Sequence, residues 1–182
     1  MDENQINHLL KNVPNYQGSF AVDELNETKV LFYPSFLVIN LDTRGNNGTH
    51  WIAVAIYQSQ IFICDSLGGI LPDKTFPRQL IDFLYPLATT RKLHITKQLQ
   101  PFSSNLCGLY CITFIKEMSE HNCFCEFLRL FSTDYVQNDT VVKFLNKGDF
   151  YYSWYLIGAK GSRQFIYKEA PNAIKSHLSN GV

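Results

Sequence analysis

QPFSSNLCGLYCITF, Gln100–Phe114, changes character at Leu106. Ahead of that point lie Pro, Ser and Asn, the residues of turns and helix caps. From Cys107 onward Leu109, Cys111, Ile112, Phe114, Ile115 and Met118 recur so densely, as far as about His121, that almost no polar face remains. A helix that is apolar all round is buried on all sides. The stretch therefore predicts a central helix beginning at Cys107, with Ser103, Ser104 and Asn105 as candidate N-caps.

The flanking sequence supplies a sheet and further helices. Ile6, Leu9, Leu10 and Val13 fall at helical spacing, so an amphipathic helix opens the chain and ends near Pro14. FLVINLD (36–42) reads as a strand, RGNNG (44–48) as a turn, and HWIAVAIY (50–57) with IFICD (61–65) as a hairpin joined by QSQ. Residues 77–88 suggest a helix, KLHITKQL (92–99) a short strand, and 123–131 and 134–147 two more helices. FYYSWYLI (150–157) fits either helix or strand, and the last twenty residues read as a loosely attached tail. The fold class is α+β: a small central mixed β-sheet with helices before and after, in one domain spanning 1–182.

Composition narrows the function classes. With 182 residues the chain is long enough for a substantial core. Sixteen basic and sixteen acidic residues balance, which gives no general pull toward nucleic acid or membrane. No apolar run is long enough to span a bilayer. The polar, acidic start MDENQINHLL is unlike a signal peptide. Five irregularly spaced cysteines point to reduced thiols and an intracellular setting. Cys123 and Cys125 stand too close for a zinc knuckle, and no second pair completes a metal site.

Cys107 lies where the central helix starts, and the positive end of the helix dipole favours thiolate. Gly108 adds no side chain beside the sulfur, which leaves room for a substrate backbone. An isolated cysteine in such a place is ordinary packing, and Cys111, one turn on, is read that way. A nucleophile needs a base, a group that orients it and donors for an oxyanion. His50 opens one strand of the hairpin and Asp65 closes the other, so the two should meet in space. Gln100 precedes the helix, where its amide could join the Cys107 N–H in an oxyanion hole. Each alone has a bland reading: a strand-end His, a turn Asp, a solvated Gln.

GTHWIAVAI, then FICDSLGG, then Gln100 ahead of NLCGLYC resembles the adenovirus-type and SUMO-protease superfamily of cysteine endopeptidases. These enzymes carry His, Asp or Glu, Gln and Cys in that order, with Trp after the His and Gly after the Cys. The likeness runs from Thr49 to Phe114. The Asp of DSLGG is nearer the SUMO proteases, whereas the Gln100–Cys107 spacing and the second cysteine of CGLYC are nearer the adenovirus type. The resemblance implies a Cys107–His50–Asp65 triad, Gln100 in the oxyanion hole, and Trp51 as a substrate-binding wall of a narrow channel. It further implies cleavage after glycine of capsid or other virion precursors, as in viral or virophage maturation proteases. A monomer inside an infected host cell is the corresponding setting, with packaging in the virion as an option. A SUMO- or ubiquitin-like deconjugating protease is the alternative, followed by a non-catalytic binding module on the same fold. No cofactor is required by the sequence. The adenovirus enzyme's disulfide-linked activating peptide has no matching cysteine here, since none lies between Cys64 and Cys107. The net charge gives no support to a DNA activator, although TTRKLHITK (89–97) is locally basic.

Overall fold

The structure, a computed structural model, describes residues 1–30, 32–46, 48–68 and 76–147, together with the backbone of 167–169. Helix α1 (Glu3–Leu10) is followed by strand β1 (Tyr16–Ala21), a 3₁₀ helix (Val22–Glu27) and strand β2 (Ser35–Asn40). The hairpin β3 (Trp51–Ile56) and β4 (Gln60–Cys64) comes next, then α2 (Arg78–Ala88) and β5 (Lys92–Thr96). The chain continues through α3 (Cys107–His121), α4 (Phe124–Arg129), α5 (Tyr135–Leu145) and β6 (Tyr167–Glu169).

The six strands form one mixed sheet in chain order, β1-β2-β3-β4-β5-β6. β1 runs parallel to β2 and β4 parallel to β5, while the other neighbours are antiparallel. Each parallel pair needs a crossover, which α2 supplies between β4 and β5. The α+β expectation holds. The sequence reading missed β1 and the 3₁₀ helix, and it took 167–169 for part of a loose tail where the backbone pairs with β5. The stretch 150–157 lies outside the described residues.

Strand alternation sorts side chains into two cores. Phe36, Val38, Ala53, Ala55 and Cys64 face α1, α3, α4 and α5. Leu37, Ile39, Ile52, Val54, Ile56, Ile61 and Ile63 face the layer that holds α2 and the 3₁₀ helix. Each fully buried Leu, Ile or Phe contributes roughly 1.5–3 kcal/mol. Helix α3 crosses β3 where that strand presents only Ala53 and Ala55, so the helix backbone can lie close to the sheet. Residues Tyr110–Ile115 of α3 are all essentially without solvent exposure. This burial fixes the helix, and with it the position of its first residue, Cys107.

Candidate active site

The start of α3 differs from the expected polar cap. Leu106 holds the cap position, with no side-chain cap bond. Ser104 stands further back, where its hydroxyl accepts from the Leu106 N–H at 3.3 Å. The first turn therefore keeps backbone N–H groups that a Ser or Asn cap would have taken. One of them, from Gly108, points at the Cys107 sulfur. An apolar cap costs the helix about 1 kcal/mol relative to a good one. Here it leaves donors for negative charge at Cys107.

Opposite lies the base of the β3–β4 hairpin. The register pairs Ala53 with Cys64, so the residues just outside the ladder, His50 and Asp65, are carried to the same end. His50 Nε2 sits 2.8 Å from Asp65 Oδ1. A carboxylate only accepts, so Nε2 carries the proton and donates to Asp65. The other ring nitrogen is left for the thiol, and His50 and Cys107 are hydrogen-bonded side chain to side chain. Asp65 is 4% exposed. It also accepts from the Leu67 N–H at 3.0 Å through the same Oδ1. Its backbone is gripped on both sides by Thr96, whose hydroxyl accepts from the Asp65 N–H and donates to the Asp65 carbonyl, at 3.0 and 2.7 Å.

The electrostatics of the pair are reciprocal. Burial disfavours a charged His50, but the bonds to Asp65 and Cys107 outweigh it and raise the imidazole to about 9. Burial likewise disfavours the Cys107 thiolate. The His50 bond, the backbone N–H groups of Trp51 and Gly108, and the imidazolium charge together hold the thiol below its ordinary value. Both shifts favour a thiolate–imidazolium pair. Cys64 and Cys111 show the contrast: burial, with no such partner, pushes each well above the ordinary thiol value.

Gln100 is buried and its amide is pinned at both ends. Oε1 accepts from the Ser66 hydroxyl at 2.6 Å, and Nε2 donates to the Ser104 carbonyl at 2.9 Å. One N–H of the amide remains. The Ser66 carbonyl in turn accepts from the Leu99 and Gln100 N–H groups, at 2.8 and 3.0 Å. The Asp65 turn and the Gln100 loop are therefore one hydrogen-bonded unit. Gly68 closes it: its φ of +95° is unfavourable for L side chains, and an added Cβ would lie 2.7 Å from the Gln98 N. Ser66 and Thr96 carried no mark in the sequence, because an isolated Ser or Thr at a strand end has no distinguishing pattern.

Trp51 is half-buried against the core beneath α3. Its backbone N–H bonds the Cys107 sulfur, a contact that no side-chain pattern could have announced. Its indole N–H donates to the Met1 carbonyl at 3.2 Å. The room expected beside Gly108 is occupied: a Cβ there would meet Met1 Sδ at 3.0 Å and Met1 Cβ at 3.3 Å. A side chain at 108 would therefore press on the Met1 side chain, which would have to give by a few tenths of an ångström. Among the described residues, no group of three His, Cys, Asp or Glu side chains is placed to hold a metal ion. No helix among them is long and apolar enough to cross a membrane.

No protein family matches the sequence, and no curated protein matches it. Among the solved structures that match, two illustrate the partial similarity. One is an AvrA deletion variant with IP6 and CoA, at a TM-score of 0.44 and 15% identity over 75% of this chain and 51% of that one. The chain thus spans about half the length of AvrA. The other is the SUMO protease Ulp1 with its catalytic cysteine oxidised to a sulfenic acid, at a TM-score of 0.41 and 13% identity over 79% of this chain and 72% of that one. Likenesses this distant leave the chemistry to be read from the side chains.

Proposed function

We propose that this protein is a cysteine endopeptidase with Cys107 as nucleophile, His50 as its acid–base partner and Asp65 as the group that orients His50. The observation that carries the reading is the continuous chain Asp65–His50–Cys107, ending at a sulfur that the Gly108 N–H of the helix start and the Trp51 N–H of β3 both meet. In this mechanism the thiolate attacks the scissile carbonyl carbon. The oxyanion is met by backbone N–H at the start of α3 and by the remaining N–H of Gln100. His50 gives its proton to the leaving amine, which departs and leaves a thioester on Cys107. Neutral His50 then takes a proton from water as the water attacks, and the acid product leaves. Asp65 accepts from the ring and holds it in one tautomer.

Gln100→Ala is expected to lower kcat by about 10²–10³, the typical cost of one oxyanion donor. Steady-state kinetics check this. A change confined to KM would make Gln100 a binding residue instead.

The substrate class proposed is a viral structural precursor cut after glycine during particle maturation, on the strength of the resemblance around His50 and Cys107. A SUMO- or ubiquitin-like deconjugase is the second reading, favoured by Asp65 where the adenovirus type usually has Glu. Both share the narrow channel proposed beside Trp51, in which any side chain before the cut would collide. A peptide library varied at that position should show cleavage after glycine and sharp loss after valine. Trp51→Ala should relax this preference while Cys107 alkylation continues. Equal cleavage after Gly, Leu and Phe by the unaltered protein would remove the channel and leave the triad. The class itself is tested by incubation with capsid precursors and ubiquitin-like precursors, followed by mass spectrometry of the new termini.

A further inference from the structure

The Met1–Asp2 peptide group is satisfied at both ends. Its carbonyl accepts from the Trp51 indole at 3.2 Å, and its N–H donates to Gln5 Oε1 at 3.0 Å. The second bond belongs to a capping box, since the Asp2 carboxylate accepts from the Gln5 N–H at 2.9 Å. Helix α1 behind it is anchored by Ile6 and Leu10, both fully buried in the core that holds α3. The backbone at residue 1 is therefore held by a rigid element. Its side chain is not core: Met1 is 45% exposed and lies against Gly108, one residue from the thiol. Trp51, Met1 and Gly108 thus form a continuous surface beside Cys107.

We propose that Met1 is a specificity-determining residue, the wall that closes the channel beside Trp51 and excludes side chains from the position before the scissile bond. This rests on the endopeptidase reading, with the channel placed where Trp51 and Gly108 meet. Two features fix the backbone from which this wall extends. The carbonyl bond orients the indole, and the capping box fixes the peptide plane from which the Met1 side chain departs. The carbonyl survives any substitution at residue 1, so the side chain can be tested apart from the clamp.

The test uses the full chain made behind a removable N-terminal fusion, so that residue 1 can be chosen. Met1, Met1→Leu and Met1→Gly proteins are treated with three reagents that alkylate thiols: iodoacetamide, the chloromethyl ketone of acetyl-Gly-Gly, and that of acetyl-Gly-Val. Intact-protein mass spectrometry follows the labelling of Cys107. The Met1 protein is expected to prefer the glycine reagent over the valine reagent by about 10–200-fold, the range a small steric difference supplies. Met1→Leu should keep that ratio. Met1→Gly should reduce it by about tenfold or more, with an unchanged iodoacetamide rate. An unchanged ratio in Met1→Gly would overturn the proposal. So would equal acceleration by all three reagents, which would make Met1 a plug, and so would a Cys107 that reacts with none of them. Labelling needs no turnover: loss of the ratio in a protein that cuts no peptide would uphold the wall and reject the endopeptidase.

Discussion

Cys107→Ala is expected to fold as the unaltered chain does and to lose peptide cleavage by about 10³-fold or more. The fold should survive because the substitution removes one sulfur atom. Cys107 is 8% exposed, and the helix is held by Tyr110–Met118 further along. A cost of about 1 kcal/mol is the scale for removing one heavy atom from such a site. The activity should not survive, since Cys107 is the thiol bonded to His50. Cys64 and Cys111 are held protonated by burial. Cys125 is also raised, by burial and by Cys123 beside it. Thermal melting and the cleavage assay on the same sample separate the two effects. A folded Cys107→Ala protein that cuts at the original rate would reject the nucleophile. Cleavage by the unaltered chain that is lost in a folded Cys107→Ala protein would also dispose of the non-catalytic binding module.

His50 carries the second large effect. His50→Ala should remove nearly all activity, because the acid–base partner is gone and the Cys107 thiol rises once it loses the His50 bond and charge, with only the Trp51 and Gly108 N–H groups left to oppose burial. The unaltered protein should show a bell-shaped pH profile of kcat/KM. Its lower limb should lie below the ordinary thiol value, set by the depressed Cys107. Its upper limb should lie near 9, where His50 loses its proton. Asp65→Asn keeps an acceptor for the ring but removes the negative charge. It should therefore move the upper limb downward and lower kcat by about 10²–10⁴. The stability linkage has a definite sign. His50 is raised on folding, so its contribution is fully present below the unfolded value of about 6.5 and is lost as pH rises through about 9. Cys107 is lowered on folding, so its contribution is present above the unfolded thiol value and is lost as pH falls through the depressed one. An upper limb unmoved by Asp65→Asn would separate Asp65 from the titration of His50.

Much of this arrangement was legible because it follows from periodicity. The dense apolar spacing after Cys107 could belong only to a buried helix. Two β-rich runs with a three-residue joint could hardly be anything but a hairpin, and a hairpin brings its outer ends together. The meeting of His50 and Asp65 follows from that geometry alone. The parts missed have local physical reasons. Tyr16–Ala21 contains Gly18 and Ser19, poor strand formers, and becomes a strand only because β2 offers a parallel edge. The 3₁₀ turn at Val22–Glu27 is too short for a readable period. The expected Ser or Asn cap gave way to Leu106, since propensity cannot see that the Gly108 N–H at this helix start faces a sulfur. Met1 could not be placed from the sequence at all. Its bond to Trp51 joins residues fifty positions apart and depends on how α1 packs on α3.

The reaction of Cys107 with iodoacetamide, measured against pH in the unaltered protein and in His50→Ala, tests the thiolate–imidazolium pair without any substrate. The expected result is a pH profile at Cys107 whose midpoint lies below the ordinary thiol pKa of about 8.5 and moves to higher pH in His50→Ala, with Cys64 and Cys111 unmodified. A Cys107 that titrates as an ordinary thiol, with the same profile in both proteins, would contradict the account.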